Sequence, residues 1–143
     1  MRVLVLVKAN AESEAGLVMD EKTQKMFAEM GKFNEKLVDA GVMLAGEGLH
    51  PSSEGKRVRF DADKRTVIDG PFPETKDLVA GYWIWKVKNL QEAVDWLKRA
   101  PFDGGSEVEI RPIYETEEFE GLSPELKAQE ERLRTKTEAA AKR

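Results

Sequence analysis

The chain has 143 residues, enough for one domain with a single sizeable core rather than two independent ones. Its formal net charge is −4, with 35% charged residues of both signs, which argues against DNA or RNA as the main partner. No cysteine is present, so disulfides, thiol catalysis and thiolate metal sites are excluded.

Arg2 to Lys8 encloses the run Val3-Leu4-Val5-Leu6-Val7, the pattern of a central strand covered on both faces. It is far too short for a membrane span and lacks a signal-peptide cleavage pattern, so a cytoplasmic protein with no membrane partner is expected. Ala9 to Ala15 reads as a mobile Ala/Glu/Ser stretch. Asp20 then caps a helix whose apolar residues Met26, Met30, Phe33 and Leu37 recur at helical spacing, and Gly41 ends it. Val42-Met43-Leu44-Ala45 opens a second strand leading into Gly46-Glu47-Gly48, where glycines permit a bulge or close backbone approach. His50-Pro51-Ser52-Ser53 leaves the sheet.

Arg57-Val58-Arg59-Phe60 and Thr66-Val67-Ile68 flank a charged turn, Asp61 to Arg65, and predict a β-hairpin set apart from the core. Between it and the next strand lies Asp69-Gly70-Pro71-Phe72-Pro73-Glu74-Thr75-Lys76. Its two prolines fix φ and push the residues before them toward extended geometry, making a rigid reversal. Gly81 to Val87 is the clearest strand, with Tyr82, Ile84 and Lys86 on one face and Trp83 and Trp85 on the other. Asn89 and Glu92 open a helix with Leu90, Ala93, Val94 and Leu97 on its core side. Glu107 to Ile113 alternates charged and apolar residues as a half-buried strand does.

The order β-α-β-hairpin-β-α-β predicts a ferredoxin-like α+β fold, whose helices cover one sheet face only. A second copy is the simplest cover for the other face, which predicts a homodimeric α+β barrel. This domain spans residues 1–114. Residues 115–143 form a helical extension, in which Ser123-Pro124-Glu125 starts a helix to about Thr135 with a narrow stripe of Leu122, Leu126 and Leu133.

Six residues are candidates for a site. His50 is the lone histidine, and imidazole is the side chain suited to general acid-base work near neutrality; Glu47 or Asp69 is its candidate orienting partner. Glu109 and Arg111 share a face of the last strand, where the guanidinium can hold an anionic ligand and the carboxylate can act as base, or the two can form a structural ion pair. Tyr82 brings a hydroxyl that needs a partner, with Lys86 on the same face. Asp69 and Glu74 flank the double-proline turn without Asp-x-Asp spacing; Asp61 and Asp63 have that spacing but run into Lys64-Arg65 where a calcium loop needs glycine and further acidic ligands, so no metal or cofactor is expected. Nucleotide, zinc-protease and serine-hydrolase motifs are missing from the sequence.

Gly46-Glu47-Gly48-Leu49, the Asp69–Lys76 octapeptide, Gly81-Tyr82 and Val108-Glu109-Ile110-Arg111-Pro112 together closely resemble the DGPF branch of the YCII-related family. The resemblance implies the ferredoxin-like dimer and no assigned reaction. Better-described members of the wider family are regarded as enzymes using a histidine in the first helix and an aspartate before a proline after the second. This chain departs from both: Asp20 to Ala40 holds no histidine, and Ala100 precedes Pro101. Two functions follow as expectations. One is a small-molecule-binding dimer acting on an organic anionic or aromatic ligand, with cofactor-free lyase or isomerase chemistry. The other is a regulatory or accessory dimer working through protein partners, as the association of some relatives with sigma factors implies.

Overall fold

The computed structural model describes residues 1–142 and divides into two compact units, Met1–Pro112 and a second beginning at Ile113. In the first unit, six strands and three helices follow in the order β1 (Arg2–Lys8), α1 (Ala11–Ala15), α2 (Glu21–Asp39), β2 (Met43–Gly48), β3 (Lys56–Asp61), β4 (Lys64–Asp69), β5 (Val79–Lys86), α3 (Leu90–Leu97) and β6 (Val108–Pro112). The main sheet has strand order β2-β5-β1-β6 with every pair antiparallel, which is the ferredoxin-like arrangement.

Strand parity decides what each face carries. Val3 and Val5 of β1 and Trp83 and Trp85 of β5 point to the face where α2 packs through Phe33 and Leu37 and α3 through Ala93; all seven are buried. Phe33 stands edge-on to both indoles, with centroids 6.1 and 6.4 Å away. Leu4, Leu6, Tyr82 and Ile84 point to the opposite face and are only half-buried. Gly46 lies against the tryptophan side, where a Cβ would come within 2.7 Å of the Trp83 ring. A glycine at this position lets β2 close up on β5.

The caps follow local chemistry. The Asp20 carboxylate accepts from the Thr23 N–H at 2.8 Å, and the Asn89 side chain accepts from the Glu92 N–H at 2.9 Å. Along α2, Phe33 and Leu37 are buried but Met26 at the start of the stripe is exposed. The Ala9–Ala15 stretch is not a plain mobile segment. Asn10 and Ser13 form a reciprocal capping box that opens the short helix α1.

β3 and β4 pair only with each other, in a two-stranded sheet with Val58 opposite Val67. β-Branched and aromatic residues make both strands, yet nearly every residue is exposed. In the second unit, Ser123 caps α4 (Pro124–Ala141) by accepting from the Leu126 N–H, and Pro124 occupies its first turn. This helix runs past the expected end near Thr135 because Glu138 and three alanines continue a good helix-forming run. Tyr114 and Phe119 stack with centroids 5.3 Å apart. Among the described residues, no helix is long and apolar enough to cross a membrane.

The two tryptophans differ in one respect that denaturation can read. Trp83 Nε1 donates to Asn34 Oδ1 at 3.0 Å, whereas the buried Trp85 Nε1 has no hydrogen-bond partner among the described residues. Replacing either by Phe removes similar volume, but only Trp83→Phe also loses a hydrogen bond. Urea denaturation should show Trp83→Phe less stable than Trp85→Phe by about 1 kcal/mol. The reverse order would contradict the assigned hydrogen bond.

Candidate functional site

Four of the six candidates lie on the face opposite α2 and α3, in two rows that cross the whole sheet. One row runs Glu47 (β2), Tyr82 (β5), Leu6 (β1), Glu109 (β6); the next runs Ala45, Ile84, Leu4, Arg111. The centre is therefore apolar with one phenol, and the functional groups stand at both edges. At a strand spacing of about 4.8 Å, Glu47 and Glu109 are roughly 14 Å apart.

The β6 edge is the more organised. Glu109 Oε1 lies 3.4 Å from Lys8 Nζ, and Oε2 accepts from Arg111 Nη1 at 3.3 Å. The Arg111 hydrogen bond, and then the Lys8 charge, hold the Glu109 carboxyl below the ordinary range. It is thus ionised and less basic than a free carboxylate. Lys8, Glu109 and Arg111 by themselves sum to +1, with the exposed Glu107 of the same parity just before the strand, and the Arg111 side chain is 69% exposed. The cluster suits an anion better than it suits proton abstraction.

His50 and Asp69 stand elsewhere. His50 follows β2, on the far side of the sheet from Glu109, and its Nδ1 lies 2.9 Å from Glu54 Oε2 with the imidazole 83% exposed. Its partner is Glu54, not Glu47 or Asp69. Asp69 closes the base of the hairpin by pairing with Lys56 across β3 and β4. The fold therefore joins Glu47, Tyr82, Glu109 and Arg111 on one face and leaves His50 and Asp69 off it.

The double-proline turn is held by residues the sequence did not single out. Ser52 donates its backbone N–H to Glu14 Oε2 at 2.8 Å and its hydroxyl to Glu14 Oε1, while its Oγ accepts the Phe72 N–H at 3.0 Å. Glu14 sits on α1, so a single carboxylate ties this helix through Ser52 to the turn. Arg57 lies 3.9 Å above the Phe72 ring and reaches Glu74 at 3.3 Å. The Gly70–Pro71 bond is cis, and a Cβ on Gly70 would fall 1.7 Å from the Ser52 carbonyl oxygen, so only glycine fits. The Asn10-x-x-Ser13 spacing could have revealed α1, but nothing local links Glu14 to a serine 38 positions away.

Two grooves on the surface lie away from these rows. One of about 320 Å³ lies beside the turn and includes Glu14, Phe72 and Thr75. Another of about 400 Å³ lies between α3 and β6 on the helix side, among Leu90, Leu97 and Ile110. The rows form a sheet face on which Leu4, Leu6, Tyr82 and Ile84 stay half-buried, as is expected if a second surface completes them.

Residues 1–117 match the model of the YCII-related domain. The chain belongs to the YCII-related family. An uncharacterized protein of Rhizobium meliloti (strain 1021) is 30% identical over 107 residues, covering 73% of this YCII-related chain and 86% of that relative. Among solved structures, a 5-chloro-2-hydroxyhydroquinone dehydrochlorinase from Burkholderia phenoliruptrix AC1100, in complex with 2,5-dihydroxybenzoquinone, has 16% identity and a TM-score of 0.43. That likeness covers 82% of the YCII-related chain and 98% of the dehydrochlorinase.

The Glu14 tie gives a pH prediction. Hydrogen bonds from the Ser52 side chain and backbone lower the Glu14 pKa below the ordinary 4.5. The folded value is depressed, so the stabilisation is fully present above pH 4.5 and is lost as pH falls through the folded value. Melting temperatures of the wild type and Glu14→Gln should differ by a constant gap above pH 4.5 that closes on acidification. A gap that widened in acid would contradict the assigned role.

Proposed function

We propose that this YCII-related protein is a homodimer that binds a small organic anion, aromatic in character, between the two sheet faces carrying the Tyr82 and Arg111 rows. The supporting observation is the pair of in-register rows: an apolar strip of Leu4, Leu6 and Ile84 with a phenol, bounded at β6 by Lys8, Glu109 and Arg111, which by themselves sum to +1. An apolar sheet face of this kind needs a cover, and a two-fold copy of itself supplies one with matching shape.

In the resulting cleft the apolar strip takes the flat part of the ligand and Arg111 takes its carboxylate or phenolate. Tyr82 offers a hydroxyl from the same row. Because Arg111 and Lys8 hold Glu109 ionised and weakly basic, Glu109 in this reading positions Arg111 first; proton transfer would require the ligand's anion to draw Arg111 away and restore carboxylate basicity. Cofactor-free lyase or isomerase chemistry remains the reaction class compatible with that inventory. His50, exposed and far from β6, has no part in it.

The test is calorimetric titration of a panel of aromatic carboxylates, phenolates and their neutral amide or ether analogues. The expected outcome is anion-selective binding that Arg111→Gln weakens at least tenfold, about 1.4 kcal/mol. Equal affinity for neutral analogues, or an unchanged affinity in Arg111→Gln, would overturn the assignment.

A further inference from the structure

The β3–β4 hairpin is the part of the first unit least explained by that unit. Alternation places Val58 and Phe60 of β3 and Val67 of β4 on one of its faces, where they are 51, 71 and 59% exposed. Arg65 stacks on Phe60, 4.6 Å from the ring centroid, and still leaves it exposed. A two-stranded hairpin without a third strand or a helix to pack on is marginally stable at best in water. Its fixed points are at the base, where Gly70 N–H donates to the Gly55 carbonyl at 3.0 Å and Arg57 grips Phe72 and Glu74. The base is held firmly, and among the described residues nothing buries the exposed Val58, Phe60 and Val67.

The size of the main sheet indicates what does. Strands spaced about 4.8 Å apart with a rise of about 3.3 Å per residue give this four-stranded face a footprint of roughly 400 Å². A stable interface of standard size buries about 800 Å² on each partner. That planar footprint is about half of this area before side-chain relief is added, so a contact beside the sheet would bring the interface toward standard size. The charges agree with a self-contact: residues 56–69 hold five Lys/Arg against three Asp, a net +2, so the rest of the chain, whose total is −4, carries −6.

We propose that the β3–β4 hairpin is an interface arm that lays its Val58–Phe60–Val67 face on the acidic body of a second copy of this chain. The proposal rests on the two-copy reading of the main sheet and adds a second, reciprocal contact to it. In a two-fold dimer each protomer gives one arm and receives one, so the arm area counts twice. The same contact would anchor the turn from Asp69 to Lys76, because β4 runs directly into it. Assembly and turn geometry are then coupled through Gly70 and Arg57.

Sedimentation velocity over a range of protein concentrations tests this with the full-length wild type, the arm variant Val58→Thr/Phe60→Thr, and the sheet variant Leu6→Glu. Threonine keeps β-propensity at two exposed positions, and far-UV circular dichroism verifies that each variant folds. The expected result is a wild-type dimer whose dissociation constant rises at least tenfold in the arm variant, with Val67→Thr shifting it in the same direction. A wild-type dimer that both arm variants leave unchanged and Leu6→Glu disrupts overturns the arm and keeps the sheet pairing. Disruption by the arm variants but not by Leu6→Glu keeps the arm contact and overturns the sheet pairing. A wild type that stays monomeric throughout overturns both.

Discussion

Trp83 and Trp85 stand on the same side of β5 with centroids 5.4 Å apart, and Phe33 of α2 meets both edge-on. This aromatic contact, with Phe102 adding a fourth ring against Trp83, determines which face of the sheet the helices cover. Because side chains alternate along a strand, burying the tryptophans sends Tyr82 and Ile84 to the other side. The same parity puts Leu4 and Leu6 there from β1, and Glu109 and Arg111 from β6. The candidate ligand face is thus a direct consequence of how the core packs.

That dependence explains why the sequence sorted these side chains into two faces but left open which face the helices cover. The Gly81–Val87 run fixes parity on β5, and Glu107–Ile113 fixes it on the last strand. Long periodic segments carry such information locally. Asp20, Asn89 and Ser123 likewise announced their helices through the chemistry of their own side chains. What escaped was either short or long-range. α1 is only five residues, and its box uses Ser13 where a glutamate or glutamine is the usual signal. The Glu14–Ser52–Phe72 chain joins three segments that no periodicity relates. His50 took Glu54, one helical turn onward, where the sequence had put forward Glu47 and Asp69.

Two chemistries are kept apart in this YCII-related domain. The rows across the main sheet combine apolar surface with an excess cation at one edge, the composition that the proposed recognition of an organic anion uses. The network around Ser52, Gly70 and Arg57 is a clamp, in which a carboxylate, a hydroxyl and a guanidinium each make two contacts to hold one turn. The residues suited to acid-base work are restrained or set apart: Glu109 is kept weakly basic by Arg111 and Lys8, and His50 is exposed beyond β2.

The most direct test of the central claim is a crystal structure of the protein purified and crystallised without added ligand. The account predicts two copies stacked through the faces bearing Leu6, Tyr82 and Ile84, with anion density against Arg111. Copies meeting through other surfaces, with those residues left in solvent, would contradict it.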